Sequence, residues 1–346
     1  EFDAATFPDP KAMVSLLHEW GFQVMVWVSP NVSPDSAVFR LLRDTDYLLR
    51  DKNGEIAVRK WWDGFSCVLD LTNPAAADWF ESKLRKLQTN YGIDGFKIDA
   101  GDPYFYRADD QAFLPSIPQE QTKAVCAFAE RFPLNELRAA WSSGGRPLVM
   151  RLSDKLHSWD KDGLNTLLPN SLLQGLLGYS YHCPDMIGGG EYMYFKQVSA
   201  SLDQELVVRY AQASALMPMM QFSAAPWRIL DPEHFELVKN AAEIHCKHGS
   251  LILSLARHAA ETGEPIVRPM AYEFPDQGFE TVSNQFMLGD SLMVAPVLGK
   301  GQVGRKVKFP SGIWESDRGE HLQGGQSHII DAPLSRLPYF KKCVEA

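Results

Sequence analysis

The stretch that decides the fold is Gly92-Ile93-Asp94-Gly95-Phe96-Lys97-Ile98-Asp99-Ala100-Gly101-Asp102. Its apolar residues alternate as they do in a strand, and it follows a segment with a helical pattern. The predicted strand ends at Asp99, and a flexible glycine separates that residue from Asp102. Since the C-terminal ends of strands carry the catalytic side chains of α/β barrels, Asp99 is a candidate for chemistry.

The flanking segments repeat this unit of strand and helix. Predicted strands lie near residues 22, 66, 93, 147, 179, 219 and 265, with helical patterns between them. The last two strands are predicted over 219–223 and 265–274, and two of the helices over 121–141 and 232–261. This alternation favours right-handed β-α-β units around a parallel sheet. Seven strands are one fewer than a closed (β/α)8 barrel needs. We therefore predict an α/β fold, a (β/α)8 TIM barrel whose first strand is missing from this chain and is expected just upstream of Glu1.

The C-terminal part has a different pattern. Alternating segments such as 305–309 are separated by glycine-rich turns at 299–301 and 323–325. Short strands between such turns predict a small antiparallel β domain. The predicted boundaries are therefore a catalytic barrel over 1–276 and a C-terminal β-sandwich-like domain over 277–346.

Charge and cysteine content argue against several classes of function. The 43 acidic and 34 basic side chains give a net charge of −9, which disfavours nucleic acid or an anionic membrane as partner. No apolar run reaches the length of a membrane span, so we expect no membrane contact from this segment. Five cysteines without a Cys-x-x-Cys pair signal neither a disulfide framework nor a zinc site. We expect no metal and no organic cofactor.

The N-terminus indicates a larger protein. The sequence opens on Glu1-Phe2-Asp3, without Met or a signal peptide, and runs directly into a helical pattern. We expect this chain to be the middle of a longer protein, so the sequence does not predict its cellular compartment. The oligomeric state is left open as well.

A pair of carboxyl groups at the barrel mouth would suit cleavage of a glycosidic bond, which needs one ionised nucleophile and one protonated acid. Asp99 is the first candidate. The second is expected after another strand, where Asp154, Asp160 and Asp162 occur. Arg151, near the end of that strand, could bond a sugar hydroxyl or keep a carboxylate ionised. Aspartates at strand ends also cap helices, and periodicity does not choose between Asp160 and Asp162.

Ordered motifs extend along nearly the whole chain. They are 7–10 (Phe-Pro-Asp-Pro), 92–99, 159–162 (Trp-Asp-Lys-Asp), 176–178 with 184–189, 288–290 with 294–297, 309–314 and 333–338. Together they resemble glycoside hydrolase family 31, which contains retaining α-glucosidases, α-xylosidases and α-galactosidases. Because these motifs occur in one chain and in order, the resemblance is far more specific than any single motif.

The resemblance implies roles for individual residues. Asp99 matches the family's nucleophile, and Asp162 matches its general acid/base. Arg151 matches the arginine that precedes the acid/base segment, and Asp185 lies in the Asp-x-x-Gly motif that follows it. Both are expected to contribute to sugar binding. Asp160 stays a rival acid/base, because Lys161 replaces the glycine that directly precedes the acid/base in the family.

Other residues depart from the family pattern. Asp102 stands where many members have Glu, and Gln221 lies where α-glucosidases have a sugar-binding His. Lys97 replaces the Trp of starch-type glucosidases; its ammonium could bond an axial hydroxyl or an anionic substituent, and a charge-paired structural lysine is an equal alternative. Trp27 and Trp61 are expected to stack against the sugar, with core packing as the alternative reading.

The run Trp61-Trp62-Asp63-Gly64, together with Asp160-Lys161-Asp162, is most similar to the α-galactosidase branch, which includes myogenesis-regulating glycosidases. This implies an exo-acting, retaining α-glycosidase that removes a terminal α-linked hexose by double displacement. The best guess for its substrate is an α-galactoside. Retention requires the two carboxyl groups to lie about 5–5.5 Å apart.

The substrate would be an oligosaccharide or glycoconjugate. The alternatives are an α-glucosidase or transglycosylase of the family, or an inactive carbohydrate-binding homologue. An upstream N-terminal β-sandwich is also implied.

Overall fold

The structure is a computed structural model. It describes residues 1–343 except Trp62, Asp63, Lys161, Tyr192, Tyr194, Phe195 and 198–200. Within it the chain divides into two units, residues 1–150 and residues 151–346. Among the described residues, no helix has the length and apolarity that crossing a bilayer requires.

The first unit contains alternating helices and strands. Its helices are α1 (Pro10–Glu19), α2 (Ala37–Leu42), α3 (Pro74–Tyr91) and α4 (Pro118–Ala129), with a short 3-10 turn at Pro103–Phe105. Its strands are β1 (Met25–Val28), β2 (Asn31–Val32), β3 (Val58–Trp61), β4 (Gly64–Val68), β5 (Gly95–Ile98) and β6 (Asn135–Leu137), and the unit ends within β7 (Met150–Arg151).

Local signals set the bounds of α3. The side chain of Asn73 accepts a hydrogen bond from the backbone of Ala75 (3.0 Å), which caps the first turn. The helix ends at Gly92, whose φ of 80° lies in the left-handed region that favours glycine. The strand predicted from the opening stretch follows directly, as β5.

A parallel ladder forms the centre of the first unit. Strand β5 pairs in parallel with β1 on one side and β6 on the other, and β6 also pairs in parallel with Met150. Phe96 and Ile98 of β5 are completely buried. Gly95 has to be small, because a Cβ there would lie 2.3 Å from the carbonyl oxygen of Leu134. The predicted parallel strand is therefore present, with its apolar residues in the core.

Two predictions about the first unit are wrong. A helix was expected over 121–141, but α4 ends at Ala129 and the chain then forms β6. The strand expected near residue 66 is β4, which pairs antiparallel with β2 and β3 in a separate three-stranded sheet. It is therefore not a strand of the parallel ladder.

The second unit begins with Arg151 and contains more helix. Its helices are α5 (Leu164–Leu176), α6 (Gln204–Ala215), α7 (Pro226–Ile229), α8 (Pro232–Lys247), α9 (Gly249–Thr262) and α10 (Met270–Glu273). Its strands are β8 (His182–Cys183), β9 (Val267–Pro269), β10 (Phe286–Leu288), β11 (Leu292–Val294), β12 (Gly304–Lys308), β13 (Ile313–Ser316), β14 (His321–Gln323), β15 (Ser327–Asp331) and β16 (Tyr339–Lys342).

Antiparallel pairing dominates the end of the chain. A six-stranded sheet has the order β14-β13-β16-β11-β10-β9, and β12 pairs with β15 in a two-stranded sheet. The strand expected over 265–274 to end the alternation is β9, which pairs antiparallel with β10 and so belongs to this sheet. The boundary between residues 276 and 277 stays a prediction.

Two further predictions for the second unit need correction. The helix expected over 232–261 is interrupted at His248, which ends α8 and precedes α9. A strand was expected over 219–223, but Gln221 forms only an isolated parallel bridge to Met186 there.

Buried Arg209 links helix α6 to the C-terminal segment within the second unit. The side chain is 1% exposed. Its guanidinium donates hydrogen bonds to the carbonyl oxygens of Gln302 (2.8 Å) and Ala332 (2.9 Å), and to the side-chain oxygen of Gln212 (3.0 Å). Burial lowers the pKa of Arg209. A buried guanidinium is stable only when such acceptors replace water, so this residue depends on the C-terminal segment and stabilises it.

Replacing Arg209 should therefore destabilise the second unit. In Arg209→Met the carbonyl oxygens of Gln302 and Ala332 lose a charged donor, so we expect the free energy of unfolding to fall by about 2–4 kcal/mol. Denaturant unfolding of the intact protein measures the change. Arg257→Met, at an exposed arginine, is the matched control and should change stability by less than about 0.5 kcal/mol. Equal effects of the two substitutions would contradict this role.

Candidate active site

Asp99 lies directly after β5, and its carboxylate is held by several donors. One oxygen accepts a hydrogen bond from the indole of Trp27 (2.8 Å), and the other accepts one from the backbone of Ala100 (2.9 Å). The guanidinium of Arg138 lies 3.2 Å from that second oxygen. The Asp99 backbone donates to the carbonyl oxygen of Val28 (2.8 Å), which extends the β1–β5 ladder by one residue. The carboxylate is therefore fixed in orientation at the end of the strand.

Arg138 is shared between two carboxylates. Its guanidinium donates to Asp102 at 2.9 and 3.2 Å, besides its contact with Asp99, and it lies 3.4 Å from the hydroxyl of Tyr104. Burial by itself lowers the pKa of Arg138, but the charges of Asp102 and Asp99 outweigh burial and raise it. Asp102 is thus part of the support around Asp99.

Lys97 and Glu136 form a second charged pair in the same ladder. They are direct partners in the register of β5 and β6, and their charged atoms are 3.5 Å apart. Side chains alternate along a strand, so Lys97 and Asp99 lie on the same face of the sheet. The lysine side chain is 23% exposed and the glutamate 11%, so both are largely shielded from water. The alternative of a charge-paired Lys97 therefore has a partner in this structure.

Sequence reasoning missed both Glu136 and Arg138. Residues 121–141 were predicted to be helical, so no strand end was expected at this position. Had β6 been recognised, its parallel register with β5 would have placed Glu136 beside Lys97 and Arg138 beside Asp99. The signal was too short to detect, because β6 is only three residues long.

The predicted tryptophans form an aromatic wall in the first unit. Trp27 and Trp61 are stacked, with ring centroids 6.1 Å apart and an interplanar angle of 10°. Trp61 also makes an edge contact with Phe105 at 6.4 Å. Trp27 is 49% exposed, which argues against core packing for this residue. Trp62 of the same sequence motif lies outside the described residues.

In the second unit, Arg151 is buried against two carboxylates. One nitrogen of its guanidinium lies 2.5 Å from Asp154 and 2.9 Å from Asp185. Asp185 is completely buried, and its second oxygen accepts a hydrogen bond from the backbone of Lys155 (2.8 Å). Burial raises the pKa of Asp185 to about 6, although the positive charge of Arg151 acts in the opposite direction. These residues connect the chain after β7 to the segment after β8.

The two rival acid/base residues lie on one tight loop before α5, and both are exposed. Asp162 has a φ of 67°, and its carbonyl oxygen accepts a hydrogen bond from the backbone of Leu156 (2.7 Å). Burial lowers the pKa of Lys155, and the negative charges of Asp185 and Asp162 oppose that effect. The charge of Asp162 thus acts on Lys155, whose backbone binds Asp185. Lys161 lies outside the described residues.

The Asp-x-x-Gly motif, residues 185–188, packs against this loop. The ring of His157 makes hydrogen bonds with the carbonyl oxygen of Gly188 (2.6 Å) and the backbone amide of Asp203 (3.0 Å). A Cβ at Gly189 would lie 2.7 Å from the backbone of His157, so the glycine permits a close approach of the two segments. His157 and Lys155 are contacts that sequence reasoning missed, although both lie within the loop that it had selected.

Gln221 lies beside the same segment. Its carbonyl oxygen accepts a hydrogen bond from the backbone of Ile187 (2.8 Å), and its side-chain oxygen is 3.9 Å from the sulfur of Cys183. The side chain is partly exposed. The structure thus places Gln221 next to the Asp185 segment of the second unit, and Asp102, Lys97, Trp27 and Trp61 around Asp99 in the first.

Comparisons with known proteins identify the family of the chain. The family model described as "Glycosyl hydrolases family 31 TIM-barrel domain" matches residues 1–248, and "Glycosyl hydrolase family 31 C-terminal domain" matches residues 263–343. The chain belongs to glycoside hydrolase family 31. The predicted TIM barrel followed by a small antiparallel β domain is therefore confirmed.

Individual members of family 31 match over nearly the whole chain. The mouse protein named myogenesis-regulating glycosidase is 35% identical over 350 residues, which cover 98% of this chain and 49% of that protein. A sulfoquinovosidase of Agrobacterium fabrum is 26% identical, over 96% of this chain and 53% of its own length. The chain thus spans about half the length of these relatives.

A solved family 31 structure has the same fold. It is an α-xylosidase from a soil metagenome complexed with xylose, and it superposes with a TM-score of 0.86 at 23% identity. The match covers 100% of this chain and 56% of the xylosidase chain. At this level of identity the likeness shows the shared fold.

The raised pKa of Asp185 has a consequence for stability. Its pKa rises from 3.8 to about 6 on folding, so folding takes up a proton between these pH values. The free energy of unfolding of the wild type, relative to Asp185→Asn, should therefore decrease as the pH rises through this range and level off above it. The slope should not exceed about 1.4 kcal/mol per pH unit.

Denaturant titrations of both proteins at several pH values between 4 and 7 measure this difference. Leu152→Val, a neighbouring buried substitution that does not titrate, should differ from the wild type by an amount independent of pH. A difference between the wild type and Asp185→Asn that is constant, or that grows with pH, would show that burial does not dominate at this carboxyl.

Proposed function

We propose that this chain is the catalytic part of a retaining, exo-acting α-glycosidase that removes terminal α-linked hexose, with an α-galactoside as the best candidate substrate. The observation that carries the proposal is the carboxylate of Asp99, which is oriented by Trp27 and paired with Arg138 at the end of the family's nucleophile strand. A nucleophilic carboxylate has to be ionised and fixed in orientation. Oligosaccharides or glycoconjugates are the proposed substrates.

The proposed reaction is a double displacement. Asp99 attacks the anomeric carbon, and the bond from that carbon to the leaving oxygen breaks as Asp162 gives the oxygen its proton. Asp162 then takes a proton from water, which attacks the anomeric carbon and releases Asp99. Burial lowers the pKa of Lys155, the negative charge of Asp162 acts to raise it, and this influence supports the choice over Asp160. Arg151 and Asp185 are proposed to hold the acid/base loop in place.

Arg138 and Asp102 act as positioning residues in this proposal. Arg138 places a positive charge beside Asp99, and Asp102 fixes the position of that charge from the other side. When the covalent intermediate forms, Asp99 loses its charge, and Arg138 still has Asp102 as a partner. The guanidinium therefore need not move during the reaction, which is the preorganisation that lowers a barrier.

The pair Lys97–Glu136 supports a neutral sugar as the substrate. The positive charge of Lys97 is matched by Glu136 at 3.5 Å, so the pair as a whole carries no net charge with which to bind a sulfonate or carboxylate. An ammonium donates hydrogen bonds and a carboxylate accepts them, so together they can bind a hydroxyl through both its oxygen and its proton. An axial hydroxyl of an α-galactoside is our preferred candidate for this contact.

Two other activities use the same residues. An α-glucosidase would differ in the sugar hydroxyl that the site binds. A transglycosylase would differ in the acceptor that takes the sugar from Asp99. Relative rates on aryl α-galactoside and α-glucoside distinguish the first, and product analysis distinguishes the second. An inactive carbohydrate-binding homologue would bind the sugar without turnover.

The assignment of the two carboxylates predicts different kinetic defects. In the intact protein, Asp99→Asn should lower kcat on an aryl α-galactoside by at least about 10³-fold, because no covalent intermediate can form. Asp162→Asn should lower kcat/KM by about 10²–10⁴-fold on substrates with poor leaving groups. The loss should be smaller on an activated aryl glycoside, whose leaving oxygen needs no proton.

Asp160→Asn is the matched control, since this residue lies on the same loop and is also exposed. It should keep activity within a few-fold of the wild type, and NMR of the first product should show the α anomer. Equal turnover by wild type and Asp99→Asn would exclude the nucleophile assignment. Loss of activity in Asp160→Asn with retention in Asp162→Asn would exchange the two acid/base candidates.

Substrate choice should depend on the charged pair beside Asp99. Lys97→Met and Glu136→Gln should each lower the ratio of kcat/KM for α-galactoside over α-glucoside by about tenfold or more, because a hydroxyl contact is lost in the transition state. Lys123→Met removes an exposed lysine from α4 and serves as the control. If kcat/KM falls equally for both substrates in the two variants, the pair positions the strand and does not distinguish the sugars.

A further inference from the structure

The C-terminal sheet brings together three side chains of different chemistry. Glu315 lies on β13, His321 on β14, and Cys343 directly after β16. One carboxylate oxygen, one imidazole nitrogen and the thiol sulfur all lie within 4.8 Å of one another. We name these residues the Glu-His-Cys cluster. It lies entirely within the second unit and has no role in the proposed glycosidase reaction.

The ladders of the sheet hold this cluster in place. Glu315 and His321 are direct partners in the β13–β14 register. The β13–β16 register continues to Cys343, whose backbone amide donates to the carbonyl oxygen of Ile313 (2.9 Å). Since partners across a ladder share a face, the three side chains lie on one side of the sheet.

The opposite side of this sheet is core. Trp314 and Phe340 are fully buried there and pack in the apolar cluster of the β domain. The cluster therefore lies on the outer face, where His321 is exposed. Its backbone is held by β14, β13 and β16, so an ion could bind by side-chain rotation alone.

The ligand atoms are those that zinc prefers. Zinc binds thiolate at about 2.3 Å and imidazole or carboxylate at about 2.0–2.2 Å, in tetrahedral geometry. Such a geometry places ligand atoms roughly 3.3–3.8 Å apart, so a cluster within 4.8 Å needs a contraction of about 1 Å. Calcium and magnesium require oxygen ligands and would reject the sulfur and nitrogen.

We propose that Glu315, His321 and Cys343 form a zinc site with a fourth position for water or another small ligand. The bound ion would join β13, β14 and the end of β16 at the edge of the β domain. Lys341 is the direct partner of Glu315 on the same face, so its ammonium competes with the ion. The site should therefore bind zinc more tightly once that ammonium is removed.

Cobalt(II) is the probe that reports each ligand. Added to the intact wild-type protein without zinc, it should produce a near-ultraviolet charge-transfer band from the thiolate, and zinc should abolish that band by displacement. Cys343→Ser should remove the band. His321→Ala and Glu315→Gln should each weaken cobalt and zinc binding by about tenfold or more. Protons compete for the ligands, so affinity should fall as the pH falls.

Matched controls use a thiol and an imidazole outside the cluster. Cys246→Ser changes an exposed cysteine on α8, and His328→Ala changes a histidine on β15. Both should bind cobalt like the wild type, and Lys341→Met should bind it more tightly. Far-ultraviolet circular dichroism of every variant checks that the fold is kept.

A second measurement does not depend on the cobalt spectrum. Zinc should raise the unfolding temperature of the wild-type protein and of both controls, and it should leave His321→Ala unchanged. The proposal is overturned if the wild type shows no thiolate band, or if Cys343→Ser or His321→Ala binds cobalt as the wild type does. An unchanged zinc-dependent rise in unfolding temperature in His321→Ala would likewise overturn it.

Discussion

The parallel register of β5 with its two neighbours is the constraint on which the surroundings of Asp99 depend. It places Trp27, Lys97 and Glu136 side by side, and it brings Asp99 level with Arg138 two residues further along. A slip of one residue would turn all of these side chains to the other face of the sheet. The lack of a side chain at position 95 permits the close contact with the chain that enters β6.

Charge compensation is the common feature of both groups of polar residues. In the first unit, Arg138 is shared by two carboxylates, and Lys97 is matched by Glu136. In the second unit, buried Arg151 is matched by Asp154 and Asp185. A buried charge without such a partner would cost several kcal/mol or more. Each group is therefore a unit in which the removal of one charge leaves another uncompensated.

The same fold supports different sites in family 31. The chain shares its barrel with an α-xylosidase, and its relatives include a protein named sulfoquinovosidase. Residues such as Lys97 and Gln221 depart from the α-glucosidase pattern, while the strand that carries Asp99 follows the family. Members of one fold differ in function through the side chains of their sites rather than through the fold itself. The outer face of the β domain, with the Glu-His-Cys cluster, is a separate feature of the second unit.

The sequence by itself determined what depends on neighbouring residues. It predicted the helical segment that precedes the opening stretch, which is α3, and it predicted β5 with Asp99 after it. The ordered motifs identified the family and hence the barrel. These signals are strong because the spacing of apolar residues over a few positions reports the local backbone conformation and the face that is buried.

Only the tertiary structure decided which segments pair. The strand near residue 66 and the strand near residue 265 have ordinary strand patterns, yet both pair antiparallel, outside the parallel ladder. The three residues of β6 carry no local signal, so Glu136 and Arg138 were found only through their partners in β5. The residues at 315, 321 and 343 show no metal-binding spacing, because only the sheet brings them together. Pairing joins residues that are distant in the chain, and no local pattern encodes that choice.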